Sequence, residues 1–69
     1  MEFEERINKV LKDHAVNKTA LAIAMEMPYT TFLFKCKRGD TWTVNEARRL
    51  TAVLKLTEDE FDFLWPEVT

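Results

Sequence analysis

Two four-residue signatures limit this chain more than any other feature. Residues 43–46 read Thr-Val-Asn-Glu and residues 57–60 read Thr-Glu-Asp-Glu. Both match the S/T-x-x-E capping box, in which a hydroxyl and a carboxylate satisfy backbone N–H groups that a helix start leaves orphaned. Each box precedes an apolar run of helical period. Together they fix two helix starts in 69 residues more securely than propensity alone.

The remaining elements follow from periodicity. Phe3, Ile7, Val10 and Leu11 form one apolar stripe and predict a helix over 3–13, with Glu2, Glu4 and Glu5 in its first turn, where the helix dipole favours negative charge. Asn17 is a good N-cap for a second helix carrying Leu21 and Met25, with alanines at 20, 22 and 24 that permit close approach. That helix must stop at Met27, because Pro28 disfavours helical geometry in the residue before it while suiting the first turn of the next helix. The third helix covers about 28–38 and ends near Gly39, a natural helix terminator. The first capping box opens a fourth helix with Val44, Ala47, Leu50 and Leu54 on one face and Arg48 and Arg49 off it. The second opens a fifth, with Phe61, Leu64 and Trp65 on one side and Pro66 closing it.

Composition agrees with an all-α reading. The chain has one Gly and two Pro, is 46% hydrophobic, and carries two Trp and five Phe, far from the profile of a disordered segment. Its length allows one small domain, 1–69, close to the lower limit for a core that needs no staple. The lone Cys36 excludes an internal disulfide and a cysteine-based metal site, and reads as a small buried hydrophobe. His14, without a second His or a Cys nearby, reads as a helix-end residue rather than a metal ligand. No cofactor is expected. The absence of a signal-like segment or a long apolar run predicts a soluble cytoplasmic protein with no membrane role.

Charge is polarised along the chain. The net charge is −2, yet residues 35–55 hold six basic and two acidic side chains, and residues 56–69 hold five acidic and no basic ones. A basic middle and an acidic tail suit different partners, although chance clustering in a short chain gives the same pattern.

Two short helices joined by a tight turn and followed by two more form a helix-turn-helix arrangement at about 17–38. The stretch NKTALAIAMEMPYTTFLFKCKRG resembles the helix-turn-helix of phage repressor and Cro-type (XRE-like) regulators. Leu21-Ala22 matches the Leu-Ala pair of the first motif helix, Met27-Pro28 stands at the turn, and Thr31-Phe32 occupies the polar–apolar pair of the recognition helix. TWTVNEARRLTAVLKLTEDEFDFLW resembles the rest of that domain. The resemblance covers about residues 5–65 and implies a compact five-helix, lambda-repressor-like fold. Two departures stand out. Glu26 replaces the usual turn glycine, which implies a different turn or modest strain, and Pro28 replaces the usual Ser or Thr cap.

At about 100° per residue, Phe32, Cys36, Tyr29 and Leu33 share one arc of the third helix, the expected core face. The other side carries Thr30, Thr31, Phe34, Lys35, Lys37 and Arg38. The resemblance implies that Tyr29, Thr30 and Phe34 reach base edges. Thr30 and Thr31 could bond bases or touch a thymine methyl, and Phe34 could pack on one. Lys35, Lys37 and Arg38 would engage phosphate, as would Asn17, Lys18 and Thr19 at the start of the second helix. A bare run of such cations is otherwise a solvated face.

Two functional expectations follow. The first is a DNA-binding transcriptional regulator whose third helix enters the major groove of a double-stranded operator. Such a protein would act as a homodimer, or in a heterocomplex with another repressor, because one short helix reads few base pairs. Phe61, Phe63 and Trp65 are candidates for that contact, unless the N-terminal segment covers Phe63. The second is an antirepressor-like module that uses the same fold, and the exposed Phe34, to hold another regulator. Net acidity, an aromatic at the centre of a polar rim, and the absence of any Gln for a bidentate adenine contact favour it. An enzyme is disfavoured: there is no Ser, a single His and a single Cys, no Gly-rich loop, and too little chain to enclose a pocket. The sequence leaves the cellular setting as the cytoplasm of a bacterial host, if phage encoded.

Overall fold

The computed structural model describes residues 2–68. Five α-helices follow one another: α1 (Phe3–Asp13), α2 (Lys18–Ala24), α3 (Tyr29–Lys37), α4 (Val44–Leu54) and α5 (Glu58–Leu64). Single 3-10 turns lie at Gly39–Thr41 and Pro66–Val68. No strand occurs among the described residues, and none of their helices is long and apolar enough to cross a membrane. The all-α, five-helix expectation holds.

Each helix contributes its apolar stripe to one core. Ile7, Val10 and Leu11 come from α1, Leu21 and Ala22 from α2, Phe32 and Cys36 from α3, and Ala47, Leu50 and Leu54 from α4. Met25 just after α2, Leu64 of α5 and the following Trp65 complete it. Full burial of a Val-, Leu- or Phe-sized side chain is worth about 1.5–3 kcal/mol, and ten of the thirteen described core groups, all but Ala22, Ala47 and Cys36, are of that size or larger. The Cα radius of gyration, 10.8 Å, matches the roughly 11 Å expected of a fully collapsed chain of this length.

Helix starts behave as the sequence predicts. The Thr43 and Thr57 hydroxyls accept from Glu46 N and Glu60 N at 3.1 and 3.2 Å. The Glu46 and Glu60 carboxylates accept in return from Thr43 N and Thr57 N, both at 2.9 Å. Asn17 Oδ1 accepts from Ala20 N at 2.7 Å and opens α2.

Helix ends depart from the expected glycine pattern. Val16 N donates to Leu11 O, Met27 N to Ala22 O and Leu56 N to Thr51 O, all at 3.0 Å. These are the long closing bonds of Schellman ends, which need a left-handed residue just before the donor. The residues that supply it are Ala15, Glu26 and Lys55, with φ between 54° and 57°, a conformation costing about 1 kcal/mol outside glycine. Gly39 does not terminate a helix this way, since no glycine has positive φ. Its smallness serves packing instead. A Cβ there would lie 2.6 Å from Phe3 Cδ1.

An aromatic cluster closes the end of the molecule beside Gly39. Trp42 packs on Trp65 and Phe3 with centroids 5.5 and 6.1 Å apart, and edge-on to Phe32 at 6.3 Å. Both indole N–H groups find backbone acceptors: Trp42 Nε1 donates to Lys35 O at 2.8 Å and Trp65 Nε1 to Gly39 O at 3.3 Å. Trp42 thus satisfies a carbonyl at the end of α3 and ties that helix to the core.

Candidate nucleic-acid interface

α3 is held from one side only. Phe32 and Cys36 are fully buried, and burial pushes the Cys36 thiol up to about 11, so it is an inert core group. Exposed on the other side are Thr30, Thr31, Phe34, Lys37 and Arg38. At 100° per residue the four on the helix, Thr30, Thr31, Phe34 and Lys37, fall within about 120° of arc, with Phe34 near its middle. Phe34 is 59% exposed. Leu33 is half-buried at the margin. Tyr29, expected on the core arc, is instead 46% exposed, at the first position of the helix after the Pro28 cap.

The basic end of α3 differs from the expected row of three solvent-facing cations. Lys35 Nζ lies 2.9 Å from Glu46 Oε1 and donates to Thr41 O at 2.8 Å, with its side chain only 15% exposed. It is spent on joining α3 to α4. Burial by itself would raise the Glu46 pKa. The Thr43 backbone N–H and the Lys35 ammonium outweigh it and hold the carboxyl below its ordinary value. Arg38 reaches Asp40 at 2.9 Å, but both side chains are about two-thirds exposed, so water and counter-ions compete for the pair. Lys37 is exposed and makes no ion pair among the described residues.

α2 packs chiefly on α3, and the turn between them is anchored from outside. Glu26 takes the left-handed position where the resemblance expects glycine, and a glycine could not do what its side chain does. Arg49 Nη1 donates to Glu26 Oε2 at 3.2 Å and to Met25 O at 3.3 Å, linking the turn to α4, though both side chains of the ion pair are more than half exposed and water competes for it. At the other end of α2, the Asn17 side chain is used as the cap. Lys18 is half-buried and Thr19 exposed.

The residues considered for a fifth-helix contact are largely covered. Trp65 is 4% exposed and so presents almost no surface. Phe61 is half-buried and stacks on Trp65 at 5.0 Å. Phe63 is roofed by α1: the Arg6 guanidinium sits 5.5 Å from its ring centroid, and Arg6 Nη1 donates to Phe63 O at 2.7 Å. His14 also has a structural task, its Nε2 lying 2.7 Å from Glu60 Oε2. No group of His, Cys, Asp and Glu among the described residues could hold a metal ion.

Sequence reasoning missed Trp42, Lys35 and Arg49 as the side chains that position α3. The helical wheel placed Lys35 off the core face, and nothing local marked Glu46 as its partner. Comparison of the chain with family models, curated proteins and solved structures finds no match.

Proposed function

We propose that this protein is a small DNA-binding regulator of the phage repressor and Cro type, with α3 as the helix that enters the major groove. The observation that carries the reading is the strip Thr30, Thr31, Phe34 and Lys37, exposed on a helix whose opposite side, Phe32 and Cys36, is buried in the core. A reading helix needs that combination: rigid seating on one side and short side chains on the other, where base edges approach. Thr30 and Thr31 supply hydroxyls and methyls, and Phe34 an apolar surface for a thymine methyl. Lys37, and Arg38 once it exchanges Asp40 for phosphate, set affinity and register. Lys18 and Thr19 add backbone contacts from α2. The setting would be the cytoplasm of a bacterial host.

A second reading has its own support. With Lys35 withdrawn into the Glu46 pair, α3 and its end expose as many aromatics, Phe34 and Tyr29 at 59% and 46%, as cations, Lys37 and Arg38. An aromatic pair inside a polar rim is the anatomy of a protein-binding hot spot. In that reading the chain grips another regulator as an antirepressor would.

Selection from a random-sequence duplex library separates the two. The DNA reading predicts enrichment of a defined site whose recovery is lost with Phe34→Ala. Binding that is weak and indifferent to sequence contradicts it and favours the protein partner.

A further inference from the structure

The cations at the end of α3, Lys35, Lys37 and Arg38, are each held differently. Lys35 is largely buried against Glu46 and Thr41 O. Lys37 is exposed and makes no ion pair among the described residues. Arg38 stands between these extremes. Its Nε donates to Asp40 Oδ1 at 3.2 Å and its Nη2 to Asp40 Oδ2 at 2.9 Å. Two N–H groups on two oxygens of one anion is also how a guanidinium grips phosphate. The carboxylate therefore occupies donors that a duplex backbone would use.

The backbone holds Asp40 in place for this. Thr41 Oγ1 and Thr41 N both donate to Arg38 O, at 2.6 and 3.2 Å, and Trp42 N donates to Gly39 O at 3.3 Å. Trp65 Nε1 reaches the same Gly39 oxygen, and Lys35 Nζ reaches Thr41 O. These bonds seat the turn on the core, so pairing requires the ordering of two side chains and no backbone. The pair is nonetheless open to exchange. Its side chains are 65% and 67% exposed, and Asp40 borders hollows on two sides into which its carboxylate can swing. An exposed pair is held weakly, whereas a duplex presents a dense row of phosphates.

We propose that Asp40 is an intramolecular stand-in for phosphate, an autoinhibitory contact that the duplex backbone must displace from Arg38. The inference rests on the DNA-binding reading of α3 and adds to it a control on affinity. Phosphate contacts position a protein without reading sequence. Asp40 therefore weakens binding to every duplex by a similar factor and leaves the choice of site to Thr30, Thr31 and Phe34.

Fluorescence-anisotropy titration of a mixed-sequence duplex at one low salt concentration tests it, using wild type, Asp40→Asn, Arg38→Ala and the double variant. Asparagine keeps the size of the side chain and removes its charge. Asp40→Asn is expected to bind about three- to fivefold more tightly, the strength of a well-formed exposed ion pair. With Arg38→Ala in place, the same substitution should gain less than about twofold, because only the loss of a nearby negative charge remains. Circular dichroism checks that the variants fold, as both sites are exposed. An Asp40→Asn variant that binds no more tightly than wild type overturns the proposal. A gain of equal size with and without Arg38 overturns it too, since Asp40 would then act as a background charge. If neither wild type nor Asp40→Asn binds the duplex, the DNA reading fails and the inference falls with it. Binding by wild type without the Asp40 effect removes the inference alone.

Discussion

Lys35 and Glu46 meet at 2.9 Å across the junction of α3 and α4, and their pairing divides the basic end of α3 into structural and free charge. The same ammonium bonds Thr41 O, and the same carboxylate accepts from Thr43 N in the capping box. One side-chain pair thus connects the end of the outward helix, the Gly39–Thr41 turn and the start of α4. Lys37, two residues on, has no such task.

Lys35→Ala is expected to destabilise the fold by about 1–3 kcal/mol, because it strands a partly buried carboxylate and an acceptor carbonyl. Urea denaturation of the variant checks this. Lys37→Ala, at an exposed and unpaired position, should change stability by no more than about 0.5 kcal/mol.

Gly39→Ala is expected to cost about 1–3 kcal/mol, the usual range for overpacking, since its Cβ would lie 2.6 Å from the Phe3 ring. The penalty should shrink in a Phe3→Leu background. A double-mutant cycle by thermal denaturation measures the coupling, and additivity would show that the ring is not what Gly39 accommodates.

Acid should loosen the junction of α1 and α5. The Thr57 backbone N–H, and then the His14 side chain, hold the Glu60 carboxyl below its ordinary 4.5. The folded state therefore binds fewer protons than the unfolded one near that pH. The stability this group contributes is complete above about 4.5 and is lost as pH falls through the lowered folded value. Glu60→Gln keeps an acceptor for the cap but carries no charge. Melting curves taken from neutral pH downward should show a shallower acid loss for that variant than for wild type.

Phe34→Ala is expected to leave stability within about 0.5 kcal/mol of wild type, as a 59% exposed side chain contributes little to the core. Any loss of binding in this variant then reports on recognition rather than folding. A melting temperature well below wild type would show that Phe34 is a packing residue.

The fold was legible where chemistry is local. Thr43, Glu46, Thr57 and Glu60 marked two helix starts, Asn17 a third, and the stripe Ile7, Val10 and Leu11 gave α1 to its observed ends. The left-handed ends at Ala15 and Lys55 were not legible, because a closing bond and tertiary packing hold a conformation that the residue type does not favour. Glu26 was half legible: its departure from glycine signalled strain, but Arg49 lies far along the chain and supplies the reason. In the candidate site, the outward placement of Thr30, Thr31, Phe34 and Lys37 followed from helical period alone. The withdrawal of Lys35, the roofing of Phe63 by Arg6 and the burial of Trp65 did not, since each depends on which helix passes over it.

The salt dependence of duplex binding, compared between wild type, Lys35→Ala and Lys37→Ala, tests the central claim most directly. Each phosphate contact adds about one to the slope of log affinity against log salt. The account predicts a slope about one smaller for Lys37→Ala and unchanged for Lys35→Ala, whatever the latter costs in stability. A Lys37→Ala slope equal to that of wild type would contradict it, and so would a wild-type chain that binds no duplex in low salt.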